Sequence, residues 1–399
     1  MKMRFHDSLR LTAAALQSET SATVTIGNPD IDLLSSFFGK LLRFTFRLLF
    51  AFVLMAWSGS TAIADGDLLG ASKGGLASKA ETFIKPRARV IVDNDFGGDP
   101  DGLFALTQHL LSPSVEVRGI IGSINYPNGF YGYPDTPDYS CSVVTNLLTA
   151  MNLAGKVPVY QGAKERIGKN GAPVESEGAR FIVREAMRTD AKTPLYIACG
   201  AGLTDLASAY LMEPKIAKHI RLVWIGGHEH KGLAIPPPGG QPVEYNLGID
   251  LKAGQIIFNQ SGIPIWQVPR DAYRQALVSY DELCNRMNEN GKLAHFLMDR
   301  LRDMMKRADG SLGEAYVLGD SPLVLLTALQ SAWESDPSSC RYTNMPTPNI
   351  DDLGLYEDNA KGRPMRVYTQ IDTRLMFEDL YAKVAQFDQR EETGKGGSQ

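Results

Sequence analysis

Val90-Ile91-Val92-Asp93-Asn94-Asp95-Phe96-Gly97-Gly98-Asp99-Pro100-Asp101, followed by Leu103-Phe104-Ala105-Leu106, decides how the rest of the chain is read. Three aliphatic residues with nothing polar among them predict a strand buried on both faces. Gly97, Gly98 and Pro100 predict a turn, and the Leu/Ala-rich segment after it a helix start. In open α/β sheets ligands bind beyond the carboxyl ends of the strands, where this loop falls. Asp93, Asp95, Asp99 and Asp101 lie within nine residues, and carboxylates that close repel one another unless a cation or protons intervene. A hard cation is the simpler solution.

The same alternation recurs downstream. Further candidate strands are Val115 to Ile121, Val157 to Tyr160, Leu195 to Ala198, Ile220 to Ile225 and Ile263 to Val268. Candidate helices are Leu103 to Leu111, Ser142 to Met151, Glu177 to Arg188, Leu203 to Leu211, Ala253 to Asn259, Lys292 to Lys306, Leu323 to Trp333 and Arg374 to Phe387. Strands and helices alternating this often predict an α/β fold, an open, mostly parallel central sheet with helices on both faces. Pro236-Pro237-Pro238-Gly239-Gly240 and the stretch from Ser335 to Gly362 read as long loops. No shift in composition divides the chain after the Gly/Ser/Ala-rich lead at Ser72 to Ser78. A single domain is therefore expected within residues 65–399, folded from about Lys79.

The 399 residues are 44% hydrophobic and carry a formal net charge of −4. That balance, with no Lys/Arg stripe interleaved with aromatics, argues against a nucleic-acid polymer as partner. Residues 1–64 read as an export signal with an upstream extension. Arg43 and Arg47 precede the apolar run Leu48 to Trp57, and Ala62-Ile63-Ala64 gives a small-residue cleavage pattern before Asp65. The apolar run is short for a bilayer span, so the expectation is a cleaved, periplasmic protein with no stable membrane insertion; an uncleaved anchor is the competing reading. Cys141, Cys199, Cys284 and Cys340 show no CxxC spacing, which excludes a zinc ribbon, and an oxidising compartment would permit one or two disulfides. Cys199 closes an apolar run and reads as a small buried residue.

With these landmarks in place, the chain resembles the inosine-uridine-preferring nucleoside hydrolases. The strand and acidic loop resemble the family's DTDxGxDDAxAL motif, and Gly200-Ala201-Gly202-Leu203-Thr204-Asp205-Leu206-Ala207 resembles its GPLTNLA turn. Gly226-Gly227 resembles its MGG segment, Glu244-Tyr245-Asn246-Leu247 with Asp250 its EFN…D segment, and Gly319-Asp320-Ser321-Pro322-Leu323 its late HDPLA turn. The series runs in order from about Arg89 to Phe387.

The resemblance implies hydrolysis of an N-ribosyl bond, nucleoside to ribose plus base, or of a related ribosyl or glycosyl bond, with a role in purine or pyrimidine salvage. It implies a calcium ion, magnesium being the weaker fit, whose bound water is deprotonated by Asp95. Implied metal positions are Asp93, Asp95, Asp99, Asp101, Thr204 through its carbonyl, and Asp320. Implied substrate contacts are Asn125, Glu244 and Asn246, and the implied assembly is a homodimer or homotetramer. The chemistry is coherent: an oxocarbenium-like transition state needs a water, a base for it and a grip on the sugar hydroxyls, and an all-oxygen ligand set suits calcium. Taken singly the residues have plainer uses. Asp93 and Asp95 suit turns or caps, Asp320 suits an N-cap before Ser321-Pro322, and Thr204 suits a helix start.

Two departures stand out. Gly102 occupies the place of one of the paired aspartates, with Asp99-Pro100 inserted upstream, and Gly319 occupies that of the histidine that protonates the leaving base. Candidate replacements for the histidine are His228, His230 and Tyr126, with Tyr131 and Tyr133 beside it. These departures motivate an alternative, a catalytically impaired ribose- or nucleoside-binding protein on the same scaffold. A haloacid-dehalogenase-type phosphatase also opens on strand-then-DxD, but Phe96-Gly97 does not match the residues expected there.

Overall fold

A computed structural model describes residues 83–125, 136–287, 291–310, 312–331, 333, 336 and 338–396. The export segment and Tyr126, Tyr131 and Tyr133 lie outside the described residues. The strands, in chain order, are β1 (Ala88–Asn94), β2 (Val115–Gly122), β3 (Val159–Gln161), β4 (Leu195–Cys199), β5 (Ile220–Ile225), β6 (Ile265–Val268), β7 (Leu277–Ser279), β8 (Ala315–Val317), β9 (Arg341–Pro346), β10 (Asn349–Ile350), β11 (Tyr356–Glu357) and β12 (Pro364–Gln370). Eight of them form one open sheet in the order β3-β2-β1-β4-β5-β6-β12-β9. All its pairings are parallel except that of β12 with the edge strand β9. The pairs β7–β8 and β10–β11 are small antiparallel ribbons.

Period-two alternation explains why both faces of this sheet are apolar. On β1, Val90 and Val92 enter one core with Phe104, Leu147, Leu326 and Phe387, while Ile91 enters the other with Ile182, Ile197, Leu206 and Ile257. These three β1 side chains are at most 1% exposed, so each contributes roughly 1.5–3 kcal/mol of burial. Helices 101–110, 137–150, 292–307, 322–327 and 373–396 carry the first core, and helices 177–186, 204–212 and 251–255 the second. The expected α/β architecture is thus the observed one. Helix starts follow local chemistry: Thr136 accepts from the Tyr139 amide with Pro137 at the first turn, and Ser176 accepts from the Ala179 amide.

From β1 the chain steps to β2 and β3 on one side, then returns to β4, β5 and β6 on the other. The reversal leaves a crevice at the carboxyl ends of β1 and β4.

Several boundaries differ from expectation. The stretch from Ser335 to Gly362 is not one loop, since β9, β10 and β11 fall within it, and β12 was not anticipated. The helix expected from Ala253 to Asn259 runs from Leu251 to Gln255 and then widens into a π-turn over Ile256–Gln260. The helix after Asp320 stops at Thr327, well short of Trp333. All four cysteines are free, and Cys199 is fully buried as expected.

Candidate active site

The acidic loop is fixed by its own backbone. Asn94 Oδ1 accepts from the Asp95 amide at 2.8 Å, the Gly98 amide closes the turn on the Asp95 carbonyl at 2.7 Å, and the Gly97 amide donates to Ser140 Oγ at 3.0 Å. Phe96, 1% exposed, anchors the loop in the first core. Helix 101–110 then begins at Asp101, whose Oδ1 accepts from the Gly102 amide at 2.7 Å and whose Oδ2 accepts from the Asp320 amide at 3.2 Å.

Asp320 arrives from far along the chain and is held by Asn94 Nδ2, which donates to its Oδ2 at 2.7 Å. Two glycines make room for this contact. A Cβ at Gly200 would lie 2.5 Å from Asn94 Nδ2 and 2.6 Å from both Asp320 oxygens, and one at Gly102 would lie 2.6 Å from Asn94 Nδ2 and 3.2 Å from Asp320 Oδ2. Gly102 therefore stands where a side chain, such as the aspartate of the motif, would have to displace the Asn94 amide from Asp320.

Asp95, Asp99, Asp101, Glu244 and Asp320 line one cleft of about 250 Å³ with Gly200, Ile225, Tyr245, Asn246, Tyr273, Val317 and Gly319. Five carboxyl groups thus meet with no lysine or arginine among the lining residues. Burial pushes Asp320 up to about 8, with the Asp99 charge adding and the Asn94 bond opposing. Burial, then the charges of Asp320, Asp99 and Asp95, holds Asp101 well above the usual carboxylate range. Asp99 is raised by burial and restrained by the Tyr316 hydroxyl, which donates to it. Glu244 is raised by burial against the donors that hold it: Oε2 accepts from the Gly227 and Leu247 amides at 2.7 and 3.0 Å, and Oε1 from the Tyr273 hydroxyl at 2.9 Å. Asn246 Nδ2 donates to the carbonyls of Gly200 and Ile225, at 3.0 and 2.9 Å, leaving its side-chain carbonyl as an acceptor.

Of the residues singled out in the sequence, Asp95, Asp99, Asp101, Glu244, Asn246 and Asp320 come together here. Asn125 sits just behind, accepting from the Tyr245 hydroxyl at 2.7 Å. Asp93 is not part of the lining. It is buried beneath the loop, accepts from Ser123 Oγ, and its Oδ2 has no hydrogen-bond partner. Burial, then the Asp205 charge, raises it well above the usual range. Thr204 is also outside the lining; its hydroxyl donates to Asp250 Oδ2 at 2.8 Å. His228 and His230 line a neighbouring groove of about 440 Å³, where His228 meets the Gly354 carbonyl, His230 meets Gln267 Oε1 at 2.8 Å, and Tyr356 stacks on His230. Asn94, Gly200, Tyr245 and Tyr273 were not foreseen. For Tyr273 a signal existed: Pro269-Arg270-Asp271 follows a buried strand as the acidic loop follows β1.

Among the described residues no group of three or more acidic, histidine or cysteine side chains is spaced to hold a metal ion. The donor chemistry nevertheless suits a hard divalent cation: all oxygen, acidic, with no lysine or arginine among the described lining residues, and at the end of a sheet. Asp99, which bonds Tyr316, and Asp101, which bonds the Gly102 and Asp320 amides, are among the side chains that would hold it.

Comparison with known proteins agrees with this layout. The profile of the family described as inosine-uridine preferring nucleoside hydrolase matches residues 90–378. A uridine nucleosidase of Saccharomyces cerevisiae is 26% identical over 252 residues, covering 55% of this chain and 72% of that protein. The solved purine-preferring ribonucleoside hydrolase from Gardnerella vaginalis superposes with a TM-score of 0.56 at 20% identity, covering 75% of this chain and 99% of that one. An inosine-uridine preferring nucleoside hydrolase from Bacillus anthracis superposes at 0.53 with 17% identity, covering 74% and 99%. At those identities the superpositions speak for the fold alone.

Proposed function

The chain belongs to the inosine-uridine preferring nucleoside hydrolase family, and we propose that it cleaves the N-ribosyl bond of nucleosides at the acidic cleft, with calcium as its cation. The observation that carries this reading is the convergence of five carboxyl groups, unaccompanied by lysine or arginine, on a cleft of about 250 Å³. Asp95, Asp101 and Asp320, with Asp99 beside them, would hold the ion. When bound, it supplies Lewis acidity and an anchor for the sugar diol.

The chain's own residues do the rest. Asp95, rigidly placed at the end of β1, takes the proton of the attacking water. The Asn246 side-chain carbonyl accepts from a sugar hydroxyl, and Glu244 holds the loops after β5 around it. Tyr245 and Tyr273 line both this cleft and an adjoining groove of about 700 Å³ bounded by the Pro237 to Gly240 turn, which gives the base a place to lie. The small-residue and apolar pattern before Asp65 supports export to the periplasm, and sequencing the mature N-terminus checks it.

Gly319, which has no side chain to protonate the departing base, favours a second reading, a protein that binds nucleosides without turning them over. One assay separates the two. Purified residues 65–399 with calcium are expected to release ribose from inosine or uridine. Binding of calcium and nucleoside with no ribose released, from these or from nitrophenyl riboside, would replace the hydrolase with the binding protein.

A further inference from the structure

Apart from its carboxyl groups, the described lining of the cleft offers side-chain polar protons from Tyr245, Asn246 and Tyr273. Asn246 is an amide whose N–H groups bond two carbonyls, and it is no acid. Tyr245 gives its hydroxyl proton to the amide oxygen of Asn125, a group unable to return one. Tyr273 is different, because its hydroxyl bonds the carboxyl of Glu244 at 2.9 Å. Its ring also stands beside Gly319: a Cβ there would sit 3.5 Å from Tyr273 Cδ2 and 3.3 Å from Asp101 Oδ2. The space next to the missing side chain is thus walled by a phenol with a carboxyl group behind it.

We infer that Tyr273 delivers the proton to the departing base, drawing it from Glu244, and so takes over the role that Gly319 cannot fill. The inference rests on the hydrolase reading above. As the C–N bond breaks, its electron pair stays on the base nitrogen, which takes the phenolic proton of Tyr273. For this the bond in which the phenol now donates to Glu244 Oε1 reverses: with Oε1 protonated, the phenolic oxygen takes that proton as it gives up its own, and the resulting carboxylate stays bonded to the Gly227 and Leu247 amides. Water forms the new C–O bond and loses a proton to Asp95, and exchange with solvent resets both acids. Burial raises Glu244 above its ordinary value, against the pull of the Gly227, Leu247 and Tyr273 donors. Burial holds the Tyr273 phenol well above its usual range, so it conducts a proton without staying ionised. The short helix Arg270–Tyr273 that presents the ring is fixed by Arg270, whose guanidinium bonds Glu229 at 2.8 and 2.7 Å.

The test uses two substrates: inosine, whose base leaves readily only when protonated, and nitrophenyl riboside, whose leaving group needs no proton. Wild type is expected to cleave both. Tyr273→Phe is expected to lose about 10²–10⁴-fold in kcat on inosine and far less on nitrophenyl riboside, shifting the ratio of the two rates by more than about tenfold. Glu244→Gln is expected to shift the ratio in the same direction. Equal losses on both substrates would overturn the inference, because a purely structural role slows both alike, and so would an unchanged rate on inosine. A wild type that cleaves nitrophenyl riboside but not inosine would overturn the inference and leave the hydrolase reading standing. If it cleaves neither, the hydrolase reading itself fails and the inference with it.

Discussion

Acid should loosen the site through a residue well away from it. His109 lies in the last turn of helix 101–110, 1% exposed, with Nε2 2.8 Å from Thr327 Oγ1 at the end of helix 322–327. Thr327 Oγ1 donates its own proton to the Leu323 carbonyl, so the imidazole must donate through Nε2. Burial, then the nearby Lys383 charge, pushes this histidine down to about 3. Because the folded value lies below the unfolded one of about 6.5, the neutral ring contributes stability that is fully present above about pH 6.5 and is lost as pH falls toward about 3. Between about pH 6.5 and 4.5 protonation favours the unfolded state over the folded one by about 2 kcal/mol. Urea unfolding of wild type and His109→Gln at those two pH values measures it. The variant is less stable near neutrality, but the gap should close by about 2 kcal/mol at the lower pH. Carboxylate titrations common to both proteins cancel in the difference. A gap that stays constant within about 0.5 kcal/mol would refute the reasoning, since it would mean the ring is not buried neutral. The bond also has a bearing on function, because it ties the far ends of the two helices next to Asp101 and Asp320.

Other substitutions probe the cleft directly. Asp95→Asn should lower kcat by about 10²–10⁴-fold if it takes the water's proton, and undiminished hydrolysis would remove it from the mechanism. Gly102→Asp, which restores the family motif, should weaken the protein by about 1–3 kcal/mol through overpacking against Asn94; a calorimetric gain in stability or in calcium affinity would contradict the crowding argument. Saturating calcium, at about a hundred times its Kd, should raise unfolding free energy by about 2.7 kcal/mol, reversibly with chelator, and an unmoved Tm would count against the cation. Arg270→Met leaves Glu229 buried without its partner and should cost about 3–5 kcal/mol, read as a fall in the urea midpoint.

The central strands were readable because each carries a run rich in apolar residues, interrupted in β2 by Glu116 and Arg118: β1, β2, β4, β5 and β6 lie within about two residues of where the runs place them. Strand β9 was not, since Arg341-Tyr342-Thr343-Asn344-Met345-Pro346 is an edge strand with no buried side chain and carries no hydrophobic pattern. Strand β12 interleaves buried Met365 and Val367 with Arg366 and begins on a proline, which masked its alternation. In the cleft, the carboxylates were legible because their chemistry is unusual and clustered in sequence. Asn94, Gly200 and Tyr273 were not, because a carboxamide, a glycine and a phenol acquire meaning only from what stands opposite them. The two histidines stand outside the cleft's described lining: Gly354, Gln267 and Tyr356 hold them along a neighbouring groove, a placement their sequence context does not carry.

The bond between Asn94 and Asp320 also ties the site to the length of the chain. Its partners are separated by 226 positions in the chain, and the hollow they share is closed by Gly200 from between them. A chain cut after β6 therefore has the acidic loop but not the residue that completes it, and the cation proposed for the cleft should bind such a truncated chain more weakly than the full one.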